Sequence, residues 1–273
     1  MSFGSVDALE RELRRIEATR QMSRRRDIPA YPVEFAISVD IEPDPWQAEV
    51  LTSKHPRKIL CCGRQTGKST VGAVLAVHKA LTVPGSTVLI VAPGERQAKL
   101  LFKNAYRLYE MAGHPLPASS KRLTGLELAN GSIIEALPAV ERTTRGYSVD
   151  LLLVDEAAAV PDQDYHGILP ALIATQGEQV LLSTPRGKRG FFWELWYSDE
   201  DWQRMMVRSD EVERIRPEDL EVFRATMPEQ FFRQEFYCEW LDTEGSLFSY
   251  DDIEAALAAG EDVAAIEIGD DEW

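Results

Sequence analysis

Read as hydrophobic and polar positions, the chain alternates between short apolar runs and longer stretches with helical spacing. Residues 6–26 place Leu9, Leu13 and Ile16 on one stripe, predicting a helix. Residues 28–44 are proline-rich and read as extended. Residues 58–62 predict a strand, followed by a glycine-rich turn and a helix from 68 to about 81. A strand over 87–92, a helix over 95–112 and a strand over 132–137 follow. Residues 151–154 are wholly apolar, the pattern of a strand buried on both faces, and 179–183 form another strand. Residues 202–241 read as a smaller, mostly helical appendage. Strands alternating with helices of this length imply an α/β fold, a mainly parallel sheet flanked by helices. The expected division is a helical, arginine-rich arm (1–27), a core (28–200), a helical lid subdomain (201–242) and an acidic tail or linker (243–273).

The net charge of −15 over 273 residues argues at first against a nucleic-acid partner. Its distribution weakens that objection. Residues 234–273 carry 13 acids and no Lys or Arg, so the remainder is close to neutral at −2. Seven arginines fall between Arg11 and Arg26, either a solvated arm or an arm that binds DNA or a partner. No apolar run approaches the roughly 20 residues of a membrane helix, so no membrane association is expected. The N-terminus has no secretory pattern. Cys61, Cys62 and Cys238 lack zinc spacing and are read as reduced thiols.

The candidate chemistry begins at Gly63-Arg64-Gln65-Thr66-Gly67-Lys68-Ser69-Thr70, between a predicted strand and a predicted helix. This is close to the phosphate-binding loop pattern, with its first glycine displaced by one position, because the eight-residue form would start at Cys62. Gly67 lets the backbone approach phosphates, and successive N–H groups form an anion nest at a helix N-terminus. Lys68 can reach β- and γ-phosphates, and Ser69 can hold Mg²⁺. Leu151-Leu152-Leu153-Val154 ends in Asp155-Glu156, placing two carboxylates where open α/β sheets bind ligands. Asp155 is expected to hold the Mg²⁺ shell and Glu156 to orient and polarise an attacking water. Upstream, the Gln47 amide can read adenine and the Trp46 indole can stack on it, or the pair can be a core Trp and a surface Gln. Ser183-Thr184-Pro185 closes the last buried strand, where hydroxyls can sense the γ-phosphate or simply form a turn. Arg186, Lys188 and Arg189 then lie on a glycine-flanked loop, suited to a phosphate backbone or to solvent.

Taken in order, Pro45-Trp46-Gln47, the loop from Gly63 to Ser69, Arg145-Gly146, Asp155-Glu156-Ala157 and Ser183-Thr184-Pro185 resemble the ATPase half of viral terminase large subunits. The resemblance covers about residues 30–245. It implies a RecA-like P-loop ATPase of the additional-strand, conserved-glutamate (ASCE) class, using ATP and Mg²⁺. It further implies a homo-oligomeric ring, pentameric, on the portal of a procapsid in the host cytoplasm, which translocates double-stranded DNA and meets a small terminase subunit. On this resemblance Arg145 matches an arginine finger that enters a neighbouring subunit's site, with Arg142 as its rival. Arg64 matches an arginine that responds to the γ-phosphate in cis, and residues 183–185 match a coupling motif.

The resemblance departs from the family in one respect: members continue into a metal-dependent nuclease domain. Ile266-Glu267-Ile268-Gly269-Asp270 look like the edge of its first strand, and the other acidic ligands are missing, so no nuclease activity is expected from this chain. The expectation is a shortened chain or a virus that encodes the nuclease separately. A superfamily-2 helicase shares these motifs but needs a second RecA-like domain. The alternatives kept are another RecA-like DNA-dependent ATPase and a non-motor assembly adaptor with a nucleotide site.

Overall fold

The structure, a computed structural model, describes residues 28–140 and 146–241. The predicted arm over 1–27, both candidate fingers Arg142 and Arg145, and the acidic segment from 242 lie outside the described residues.

The strands are β1 (Arg57–Cys62), β2 (Thr87–Ala92), β3 (Ala118–Lys121), β4 (Gly125–Leu128), β5 (Ile133–Pro138), β6 (Leu151–Asp155), β7 (Glu178–Ser183) and β8 (Gln203–Val207). They form one sheet in the order β3-β4-β5-β2-β6-β7-β1-β8. All neighbours from β5 to β8 pair in parallel, while β3 and β4 form an antiparallel extension at one edge. This is the RecA-like arrangement anticipated from the motifs, with β7 inserted between the phosphate-loop strand β1 and the acidic strand β6.

Each central strand is apolar throughout because it feeds two cores. Leu60 and Cys62 of β1, Val88 and Ile90 of β2, and Leu153 of β6 point into one core. Ile59, Cys61, Leu89, Val91, Leu152 and Val154 point into the other. The first core is covered by α3 (Lys68–Thr82) and α4 (Glu95–Met111), the second by α5 (Asp162–Ile168) and α6 (Gly190–Tyr197). Side-chain period 2 on a sheet covered on both sides accounts for this split. No helix among the described residues is long and apolar enough to cross a membrane.

Three local readings change. Residues 28–44 are not wholly extended: Pro32–Ser38 form α1, followed by α2 (Pro45–Thr52). Pro32 sits at the start of α1, where proline's missing N–H costs nothing, and burial of Phe35 and Ala36 against the first core holds the short helix in place. The β3–β4 hairpin was not anticipated, since Ala118-Ser119-Ser120-Lys121 is exposed and carries no apolar alternation. The segment 201–242 is not purely helical. Its first part is β8, which pairs in parallel with β1 and belongs to the sheet. The helical part consists of α7 (Pro217–Thr226) and α8 (Glu229–Tyr237), joined by a small core of Leu220, Phe232 and Phe236.

Candidate active site

Because β1, β6 and β7 run parallel, the segments that follow them open at one edge of the sheet. Asp155 pairs with Leu182, and Cys61 with Ser183, so the ends of the three strands are level.

The loop after β1 contains two left-handed residues, Gln65 (φ 62°) and Gly67 (φ 92°), flanking Thr66. Alternation of this kind turns successive N–H groups into one concavity, and α3 starts at the next residue. A side chain at 67 would meet the Gln47 amide nitrogen at 2.5 Å and the Arg214 guanidinium at 2.9 Å. The Thr66 hydroxyl donates to the Gly63 carbonyl at 2.8 Å and closes the loop on itself. Gly63 has a different reason to be glycine. A Cβ there would lie 2.5 Å from Ser209 Oγ and 2.7 Å from the Phe236 carbonyl. The displaced first glycine is therefore where the helical subdomain meets the loop.

Lys68 reaches across to the acidic strand end, its Nζ 3.0 Å from Glu156 Oε1. Burial alone would lower the Lys68 ammonium, but Glu156 and Asp155 outweigh it and hold it above the ordinary lysine value. Asp155 is pushed up to about 6, first by burial and then by Glu156, against the pull of Lys68. Its Oδ1 is buried without a hydrogen-bond partner among the described residues. Glu156 adopts a left-handed backbone (φ 51°, ψ 44°), unusual for a non-glycine residue, at the turn out of β6. The Ser183 hydroxyl accepts the Ala158 N–H at 3.1 Å, tying the end of β7 to the segment that carries Glu156.

A cleft of about 480 Å³ lies over the loop, lined by Arg64, Lys68, Ser69, Glu156, Thr184 and Glu235 among others. A second cleft of about 370 Å³ adjoins it, sharing Thr70 and Arg214 and lined by Gln47, Asn104 and Arg107. Gln47 is buried and its amide is occupied. Its Oε1 accepts the Asp44 N–H at 2.9 Å, and its Nε2 donates to the Thr66 and Gly67 carbonyls at 3.4 Å each. Trp46 packs against the first core. Arg64 points at the helical subdomain, its Nε 2.5 Å from Glu235 Oε2. Arg186 and Arg189 are exposed on the loop beyond Pro185, with Lys188 half-buried between them. Arg214, Asp44, Glu235 and Ser209 were missed by sequence reasoning. Arg214, Glu235 and Ser209 contact the loop from more than 140 positions away, and no local pattern marks them.

The orphaned Asp155 oxygen suits a hard cation, which takes oxygen ligands and is commonly shared with substrate phosphates. Ser69, in the first turn of α3, lines the cleft together with Lys68 and Glu156 and offers a hydroxyl oxygen of the kind such a cation takes.

Residues 59–255 match the family model described as terminase large subunit, T4likevirus-type, N-terminal. The chain belongs to the terminase large-subunit family. It is 26% identical over 242 residues to the terminase large subunit of Thermus virus P23-45, covering 74% of this chain and 50% of that protein. With the terminase large subunit of Escherichia phage T5 it shares 28% identity over 206 residues, 71% of this chain and 46% of that one. This terminase chain thus spans about half the length of the curated relatives it matches. Its fold superposes on the Thermus phage P74-26 large terminase ATPase domain with a TM-score of 0.68 at 24% identity, covering 76% of this chain and 98% of that domain.

Proposed function

We propose that this chain is the ATP-hydrolysing motor of a machine that drives double-stranded DNA through a portal into a procapsid. The observation that carries the reading is the Lys68–Glu156 pair beside Asp155, whose buried Oδ1 has no hydrogen-bond partner among the described residues, at the mouth of a loop shaped to cradle phosphates. The nest from Gly63 to Thr70 binds the β- and γ-phosphates, and Lys68 leaves Glu156 for the γ-phosphate when ATP enters. Glu156, released, accepts a proton from the water that attacks the γ-phosphorus. The bond from phosphorus to the bridging oxygen breaks, and ADP leaves with the electron pair. Ser69 and Asp155 would hold Mg²⁺, which would supply charge neutralisation on the phosphates. Arg145 of a neighbouring copy supplies the charge that a single site lacks, within a pentameric ring.

Trp46 and Gln47 border the nucleotide from behind the loop. The occupied Gln47 amide supports a role in shaping the loop, with the base lying in the adjoining cleft. Arg64, freed from Glu235 by the γ-phosphate, reads it in cis. Ser183, Thr184 and Pro185 pass its loss to Arg186, Lys188 and Arg189, which hold DNA phosphates. The portal and a small terminase subunit complete the assembly in the host cytoplasm. Phosphate release measured with and without duplex DNA tests the core of this reading. Turnover that requires Glu156 and rises with DNA is expected. Nucleotide binding without turnover under assembling conditions favours the adaptor instead, and DNA-stimulated turnover with no response to portal favours another DNA-dependent ATPase.

A further inference from the structure

We infer that Arg214, from the segment between β8 and α7, is a positioning residue that holds and polarises the phosphate-binding loop from behind. The inference rests on the nucleotide-binding reading above. The Arg214 guanidinium donates through Nη1 to the Gln65 carbonyl at 2.6 Å and through Nη2 to the Thr66 carbonyl. It also pairs with Asp44 Oδ2 at 3.1 Å. Asp44 is the N-cap of α2 and shares a capping box with Gln47, whose amide donates to the Thr66 and Gly67 carbonyls.

The carbonyl of one residue belongs to the same peptide unit as the next residue's N–H. Donation to the Gln65 and Thr66 carbonyls therefore polarises the Thr66 and Gly67 N–H groups, and Gln47 extends this to Lys68. Hydrogen bonds along such chains strengthen one another. A phosphate in the nest meets stronger donors, already held in the left-handed geometry of Gln65 and Gly67. A guanidinium suits the task because its fork serves two successive carbonyls at once and its charge persists at every accessible pH. A lysine would offer a single point charge.

The test is calorimetric binding of ADP and of inorganic tripolyphosphate, each with Mg²⁺, to the full chain and to R214Q, R214K and D44N. Binding of ADP by the unmodified chain checks the nucleotide reading, and its absence would sink that reading before Arg214 is in question. R214Q is expected to weaken ADP and tripolyphosphate by the same factor, about 10- to 100-fold, because two charge-assisted hydrogen bonds to the loop are removed. R214K should recover part of that affinity, and KM for ATP should rise with kcat little changed. D44N, which keeps the arginine but frees it, should give a smaller loss in the same direction and stands in if R214Q does not fold. Loss of ADP affinity with tripolyphosphate unchanged would make Arg214 a contact to the nucleoside and overturn the inference. Unchanged affinity for both ligands in R214Q and D44N would overturn it equally.

Discussion

Lys68 Nζ lies 3.0 Å from Glu156 Oε1, so the cation expected on the γ-phosphate and the carboxylate expected on the attacking water neutralise each other. On the proposed reading, nucleotide entry breaks this pair. Lys68→Ala is expected to abolish nucleotide binding, whereas Glu156→Gln should bind ATP at least as tightly as the unmodified chain and lose about 10²- to 10⁴-fold in turnover. Fluorescent-nucleotide titration with single-turnover phosphate release separates the two. A Glu156→Gln chain that hydrolyses ATP at the normal rate would remove Glu156 as the base.

Asp155 gives a pH signature. Its carboxyl is pushed up to about 6 by burial and by Glu156, so the folded protein holds that proton more tightly than the unfolded chain does. Stability from this group is complete below the usual aspartate range and is lost as pH rises through the folded value. Asp155→Asn should therefore melt higher than the unmodified chain at pH 8, by up to about 3 kcal/mol, and the gap should shrink toward pH 5. Melting curves across that range check the sign. The same substitution should end Mg²⁺-dependent turnover.

Gly63 is constrained by its neighbours and not by its own backbone. A methyl there would press on Ser209 Oγ and the Phe236 carbonyl. Gly63→Ala is expected to cost about 1–3 kcal/mol by overpacking and to loosen α8 from the loop. Hydrogen exchange should show faster exchange over residues 229–237. Unchanged exchange and melting would mean that the subdomain shifts freely.

An arginine finger supplied in trans contributes about 10³- to 10⁵-fold in comparable phosphoryl transfers. Specific ATPase activity should therefore rise with protein concentration as copies associate, and Arg145→Ala should flatten that rise while leaving ATP binding intact. Activity indifferent to concentration where the oligomer demonstrably forms would argue against Arg145 in trans.

Arg186, Lys188 and Arg189 follow directly from the end of β7, two of them exposed. If they hold duplex DNA, neutralising all three should flatten the dependence of affinity on salt by about 0.9 for each DNA phosphate that is no longer neutralised. An unchanged slope in filter-binding or anisotropy titrations would take the loop out of the interface.

Much of the architecture is legible without coordinates because its signals are local. The run from Leu151 to Val154 is apolar on both faces, the pattern of a short strand buried between two layers, and it ends in two carboxylates. The turn at Gly67 and the lysine after it announce a phosphate nest, since few other residues permit that backbone. These features depend on near neighbours in the chain, and they carried the fold class and the identity of Lys68, Ser69, Asp155 and Glu156 as a cluster.

Tertiary structure decided what local pattern cannot encode. The β3–β4 hairpin, exposed along β3 and largely buried along β4, forms because β5 offers β4 a sheet edge, not because Ala118–Lys121 has a strand's alternation. Strand β8 looks like the start of a helical appendage until β1 pairs with it. Gln47 is free to read a base in the sequence, but in the fold its amide is occupied by the Asp44 N–H and two loop carbonyls. Arg214 and Glu235 reach the phosphate loop from 148 and 171 positions away, respectively. The physical reason is the same in each case. A hydrogen bond or a packed methyl depends on distance in space, and only the folding of the sheet brings the helical subdomain against the loop.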